Sequence, residues 1–283
     1  QDNYLVDTAR GNGSIIYSNQ TQGADTGVTQ GVTAFSSSGY SLGTAAAVNQ
    51  ANQTYASWTF RKAPGFFDVV TYTGNGSSPQ TINHNLGGTP GVIIVKATST
   101  TGDWITYHRS VTNGYLLLNT NGATYTRTDY IYQNPTSTTF QVGFAANTNG
   151  VTYVAYLFAH DAQLFGDGGN QSVIKCGSYT GNGSASGPTI DLGWEPQWVF
   201  IKCASRTSGG STFGGSGIIM DSMRGIVAGT GTKTLAADET NAESTENNID
   251  IELTPTGFKL TSDGLFGNAS GGTYIYIAIR RGP

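Results

Sequence analysis

Polar and apolar residues alternate in short runs that this chain repeats. Thr54-Tyr55-Ala56-Ser57-Trp58-Thr59-Phe60-Arg61 has the period of two that predicts a strand with one buried face. The run returns as Thr152-Tyr153-Val154-Ala155-Tyr156-Leu157-Phe158-Ala159 and as Thr273-Tyr274-Ile275-Tyr276-Ile277-Ala278-Ile279-Arg280. Phe67–Thr73, Val92–Lys96, Trp104–His108, Tyr115–Asn119 and Thr138–Val142 predict further short strands. Clusters of Gly, Asn, Ser, Thr and Pro separate them at intervals of about 8–20 residues, the spacing of a sandwich or barrel. Thr44–Asn52 is the one weak helical candidate.

A longer stretch occurs twice. Tyr72–Lys96 and Tyr179–Lys202 both open Tyr-Thr-Gly-Asn-Gly, reach a proline (Pro90, Pro196) and end in an apolar run closed by lysine. Asn75-Gly76 and Asn182-Gly183 predict type I′ hairpin turns, with Phe67–Thr73 and Val92–Lys96 as the paired strands around the first. Asp7-Thr-Ala-Arg10-Gly11 recurs as Asp221-Ser-Met-Arg224-Gly225, and Gly39-Tyr40-Ser41-Leu42 as Gly257-Phe258-Lys259-Leu260. Fixed-period self-similarity of this kind marks a repeated module. Residues 1–66 form a partial module, a rear half without the Tyr-Thr-Gly-Asn-Gly part. Residues 67–166 are a complete module and 171–283 a second, lengthened by the loops Ser205–Gly217 and Ala236–Asn248, with Asp167–Asn170 as linker. The expected fold is all-β: tandem, jelly-roll-like β-sandwich modules, two complete and one partial.

Composition narrows the classes of function. Charged residues are 11% of the chain, against roughly 25% in an ordinary soluble domain, and 40 glycines help fill the gap. A formal charge of −4 offers no phosphate-attracting surface, so nucleic acid is not an expected partner. The longest apolar runs, such as Tyr153–Ala159, fall short of the roughly 20 residues of a membrane helix. Gln1 without an initiator Met predicts a processed product or part of something longer.

Groups capable of chemistry are few. Cys176 and Cys203 read as two small buried hydrophobes or as a disulfide. The acidic Ala236–Asn248 stretch lacks calcium-loop spacing and reads as a solvated loop. None of the three histidines adjoins a nucleophile motif; no metal, cofactor or catalytic residue is expected. A carboxylate pair for glycoside hydrolysis could be drawn only from Asp103, Asp129, Asp161, Glu195 or Asp221. Asp7–Arg10 and Asp221–Arg224 predict ion pairs bracing a turn. The middle module keeps an arginine at Arg109 but loses the aspartate, so Trp104, Tyr107, His108 and Arg109 become the candidate carbohydrate contact: aromatic faces beside a planar fork.

The motifs Asp-x-x-Arg-Gly, Thr-Tyr-x-x-Trp-x-Phe-Arg-Lys, Tyr-Thr-Gly-Asn-Gly…His-Asn-Leu-Gly…Pro-Gly-x-Ile-Ile-Val-Lys and Asp-Trp-x-x-Tyr-His-Arg-Ser carry a resemblance. Over residues 5–165, and more loosely 171–283, the chain resembles the repeat modules of tail-fibre-like and other structural proteins of marine tailed phages, including cyanophages. The resemblance implies a non-enzymatic β module on the virion surface. Its implied partners are other virion subunits, copies of itself (a trimer for a fibre) and a host-surface glycan. A capsid decoration protein or head fibre is one alternative, and a secreted carbohydrate-binding adhesin module is another.

Overall fold

β-branched and aromatic side chains set between small polar ones favour strands wherever a face can be buried, and the computed structural model of the chain is all-β. It describes residues 1–208, 211–226, 231–245 and 249–281. The stretch Ser205–Gly217, expected as a loop, instead pairs Arg206, Thr207 and Ser208 with Phe213, Thr212 and Ser211; its Gly209 and Gly210, and Glu246, Asn247 and Asn248 of the acidic stretch, lie outside the described residues. The first unit holds β1 (Tyr4–Asp7), β2 (Gly11–Tyr17), β3 (Val32–Phe35), β4 (Tyr40–Leu42) and a single helical turn, Ala46–Asn49. The middle unit holds β5 (Phe67–Thr73), β6 (Gln80–Asn83), β7 (Pro90–Ala97), β8 (Ile105–His108), β9 (Leu116–Leu117), β10 (Thr139–Val142) and β11 (Thr152–Ala159). The last unit holds β12 (Ile174–Thr180), β13 (Thr189–Asp191), β14 (Pro196–Ser208), β15 (Ser211–Phe213), β16 (Gly217–Asp221), β17 (Leu235–Ala236), β18 (Ile251–Thr254), β19 (Gly257–Leu260) and β20 (Thr273–Arg280).

In two of its three occurrences the recurring alternating run becomes the inner strand of a sheet; Thr54–Arg61, expected as a strand, forms none among the described residues, because no strand of the first unit lies beside it. β11 lies between β5 and β7 in the order β5-β11-β7-β8-β9, and β20 between β12 and β14 in the order β12-β20-β14-β16-β17. A smaller sheet in each of the two complete units, β10-β6 or β13-β19-β18, completes a two-layer core. Strands covered on both faces read as continuous apolar runs, which is why Tyr153–Ala159 is buried throughout.

This topology corrects the expected hairpin. Phe67–Thr73 and Val92–Lys96 are not paired with each other; they flank β11 on its two edges. Nor are the turns type I′, which needs positive φ at Asn as well as Gly. Only the glycines are left-handed, Gly76 at φ 74° and Gly183 at φ 65°. A buried asparagine from the far side of the unit explains the change. Asn147 and Asn268, 1% and 0% exposed, precede β11 and β20. Their Oδ1 atoms accept the backbone N–H of Asn75 (3.0 Å) and Asn182 (2.9 Å), and their Nδ2 groups donate to Oδ1 of those same residues (3.1 and 3.0 Å). Asn75 and Asn182 in turn accept Ser77 and Ser184 N–H in Asx turns. The first glycine of the motif serves close approach. A Cβ on Gly74 or Gly181 would run into the carbonyl oxygen of Thr148 or Ala269.

The units dock through equivalent atoms. Lys96 and Lys202, the lysines that close the repeated stretch, are 0% and 1% exposed. Each reaches into the preceding unit, Nζ donating to Thr21 O (3.2 Å) and Thr120 O (2.6 Å). Ala24 N–H donates to Thr98 O (2.7 Å), as Thr124 N–H does to Ala204 O (2.8 Å). Trp104 Nε1–H donates to Tyr17 O and Gln20 O, and Asn3 Nδ2 makes the corresponding bonds to Ala236, Ala237 and Glu239 carbonyls in the last unit. Gly102 N–H donates to Thr21 O, and the Gln1 amino group to Thr240 O. The middle unit thus holds the first, the last holds the middle, and the first holds the last: a closed ring with an approximate three-fold repeat.

Candidate functional site

The sharpest difference among the units lies at the corner after the strand that carries the acid–arginine motif. In the first unit Asp7 Oδ2 lies 2.6 Å from Arg10 Nε, and its Oδ1 accepts Ala9 and Arg10 N–H, capping the turn. Tyr156 of the middle unit donates its hydroxyl to Asp7 Oδ2 (2.7 Å). In the last unit Asp221 and Arg224 repeat the 2.6 Å pair, and Trp58 of the first unit donates Nε1–H to Asp221 Oδ2 (3.0 Å). These pairs therefore brace two of the three junctions. Burial works to raise the Asp221 pKa, but the Arg224 hydrogen bond and charge bring it below the ordinary carboxylate value.

Strand register places His108, not Arg109, in the corresponding role. Leu5 pairs with Ile16, Ile219 with Leu235 and Thr106 with Leu116; two residues on stand Asp7, Asp221 and His108. His108 is 0% exposed, caps its turn by accepting Ser110 N–H at Nδ1 (3.1 Å), and turns Nε2 to Tyr276 O (3.2 Å) in the last unit. The bond to a carbonyl makes Nε2 the protonated nitrogen of the neutral ring. Burial pushes the His108 pKa down to about 4. The sign follows: between pH 6.5 and 4 the unfolded chain takes up a proton that the folded one refuses, so stability falls as pH drops through that window. The loss should reach about 3 kcal/mol at 1.36 kcal/mol per pKa unit. Urea unfolding at pH 7 and pH 4.5 should show it shrinking in His108→Asn, which keeps a capping acceptor; an unchanged pH dependence would remove His108 as its cause.

The four candidate sugar-contact residues divide. Trp104 is 0% exposed and its indole is committed to the first unit, so it presents no stacking face to solvent; His108 is equally closed off, and Tyr107 is buried. Arg109 is exposed, and its guanidinium has no hydrogen bond or ion pair among the described residues. The arginine position of the motif is taken by Val111, and Arg109 stands at the place of Thr8 and Ser222, outside the corner. It lines a cleft of about 590 Å³ together with Thr89, Tyr107, Gln133, Pro135 and His160. His160 Nδ1 accepts Cys176 N–H (3.2 Å), leaving Nε2 as a donor on the neutral ring. Burial first, and Arg109 next, hold the His160 pKa below its ordinary value. An arginine fork beside a neutral imidazole suits a carboxylate or a set of hydroxyls.

The remaining candidates are dispersed. Asp103 accepts Asn119 Nδ2, Asp129 pairs with Arg127, Asp161 with Lys175 and Asp221 with Arg224, while Glu195 is exposed. Cys176 and Cys203 are unbonded and buried, which excludes the disulfide reading; burial raises the pKa of both thiols. A second groove, about 870 Å³, runs between the first and middle units and is lined by threonines of β5 and of the loop after β7. Asn147, Asn268 and the lysine staples were not singled out by alternation; the signal that could have found the asparagines is their constant position six residues before Tyr153 and Tyr274.

No curated protein and no solved structure matches this chain. The family model described as domain of unknown function DUF7483 matches residues 1–283, and the chain belongs to that family.

Proposed function

We propose that this chain is a non-enzymatic architectural element of a virion appendage of the tail-fibre kind, displaying its loops toward a host surface. The observation that carries the reading is where the recurring polar residues are spent. Asp7, Arg10, Asp221, Arg224, Lys96 and Lys202 hold turns and neighbouring units, and Asn147 and Asn268 lock the repeated turns. Repetition of scaffold without repetition of a reactive cluster is what a structural array needs. The resemblance of its motifs to phage structural modules supplies the setting. Labelling the protein on intact particles by electron microscopy tests the reading: density on a tail appendage supports it, density on the capsid shell favours the decoration-protein alternative, and absence from particles rejects both.

The Arg109 cleft favours a second role within the same reading, attachment to an acidic surface glycan. A glycan array carrying uronic or sialic acids should retain the protein, and Arg109→Ala should weaken retention at least tenfold, the worth of one charge-assisted hydrogen bond. Equal retention of both proteins would remove the cleft from the attachment surface.

A further inference from the structure

Among the described residues the first unit lacks three strands that its counterparts possess, those in the places of β5, β6 and β7. Its alternating run, residues 54–61, is aligned with β11 and β20 but makes no sheet pairing among the described residues. The launch into that run is nonetheless preserved. Tyr55 OH accepts Gln50 N–H and donates to Ala46 O, as Tyr153 does with Thr148 and Ala145 and Tyr274 with Ala269 and Leu265. Asn52 takes φ 62° where Gly150 and Gly271 take 76° and 72°. The backbone therefore enters residue 55 along the path that, in the other units, continues as an inner strand.

Trp58 and Phe60 of the run are half-buried against the other units, but the side chains that a front half would cover stand open. Tyr55 is 45% exposed where Tyr153 and Tyr274 are 2% and 0%. Tyr40 and Leu42 on β4 are 37% and 40% exposed, against 1% and 0% for Phe140 and Val142 and 0% for both Phe258 and Leu260. In the complete units β6 or β13 lies along β10 or β19 and covers these positions with Ile82 or Ile190; β4 pairs with β3 alone. Asn49 stands six residues before Tyr55, the place of Asn147 and Asn268. Its Nδ2 bonds Gly43 O, while its Oδ1, the atom that clamps the repeated turn elsewhere, meets no donor among the described residues.

We infer that the first unit is an acceptor for a strand–turn–strand segment of the front-half pattern supplied from outside these 283 residues. That partner is a polypeptide with alternating β-branched and aromatic residues, a Thr-Gly-Asn-Gly turn and an isoleucine shortly after it. Its backbone would pair along both edges of residues 54–61, along β1 and along β4, its turn would meet Asn49, and its isoleucine would cover Tyr40 and Leu42. A second copy of this chain is the poorer occupant: it contains three rear halves but two front halves, both paired within their own units, so it can donate one only by unpairing its own sheet. Strand addition of this kind draws affinity from main-chain hydrogen bonds and specificity from alternate side chains. The inference rests on strand register and not on the virion reading, so either can fail alone.

Hydrogen exchange on the full chain tests it, alone and with a synthetic peptide of residues 66–97. Alone, the chain should be a monomer by light scattering and residues 40–42 and 54–61 should exchange rapidly. The peptide should slow exchange there by more than about tenfold, saturating at one peptide per chain, and an Ile82→Asp peptide should not. A second form, with residues 66–97 linked ahead of Gln1, guards against a peptide that does not stay in solution, and protection in either form supports the inference. Fast exchange in both forms would overturn it, as would a chain that dimerises by itself with these amides already protected, which would make the occupant a second copy.

Discussion

Replacing Trp104 with alanine should destabilise the protein by about 4 kcal/mol, within the range for emptying a fully buried tryptophan site, and the damage should spread beyond the middle unit. The indole is 0% exposed, stacks near Tyr156 and donates to Tyr17 and Gln20 carbonyls in the first unit. Truncation opens a cavity at the junction and strands those acceptors. Urea unfolding should give the loss, and hydrogen exchange should place faster opening at residues 15–20 as well as 104–108. Trp104→Phe keeps most of the packing but not the N–H, and should cost about 1–2 kcal/mol. A Trp104→Ala protein whose first unit exchanges as before would mean that the indole belongs to the middle unit alone.

Asp7→Ala should cost about 3–5 kcal/mol, because it leaves a buried arginine without its counter-charge. The Asp7 and Arg10 side chains are 8% and 6% exposed, and Asp7 also accepts two backbone N–H groups and the Tyr156 hydroxyl. Arg10→Met added to Asp7→Ala should recover part of the loss, since the stranded charge and not the missing attraction is the larger cost. The sister substitution Asp221→Ala should be milder: Arg224 keeps Glu243 at 3.0 Å and the Trp58 ring beneath it. Chemical denaturation of the four proteins gives the comparison. Equal losses at Asp7 and Asp221, with no recovery in the double variant, would assign the cost to the lost turn caps instead.

Much of the fold was legible because burial and alternation are linked locally. The run from Thr152 to Ala159 reads as a strand from its own residues, and its recurrence at Thr54 and Thr273 reveals the repeat without any structure. Pairing was less legible. Asn75-Gly76 carries a strong local preference for a tight hairpin, yet Asn147, distant in sequence, supplies the hydrogen bonds that hold a different turn, and β11 inserts between the strands the hairpin would have joined. A preference worth a fraction of a kcal/mol yields to a buried, fully bonded amide.

The site was half legible. Recurrence marked Asp7–Arg10 and Asp221–Arg224 as a pattern and Arg109 as a departure from it. What the spacing hid was that His108 occupies the aspartate's place, because a histidine and an aspartate share no charge at neutral pH, only an acceptor in the same position for the N–H two residues on. Trp104 was misleading for a related reason. An aromatic ring beside an arginine resembles a sugar platform, but strand register points the indole into a neighbouring unit, and no local pattern encodes that neighbour.

Closure of the ring is the claim on which the rest depends, and nuclear Overhauser contacts in a deuterated sample read it directly. Cross-peaks should join the Asn3 side-chain amide to Ala237, the Trp104 indole N–H to residues 17–20, and the His108 ring to Tyr276, one for each junction. Contacts at the second and third junctions with none between Asn3 and the 236–239 segment would describe an open row of units and contradict the closed arrangement.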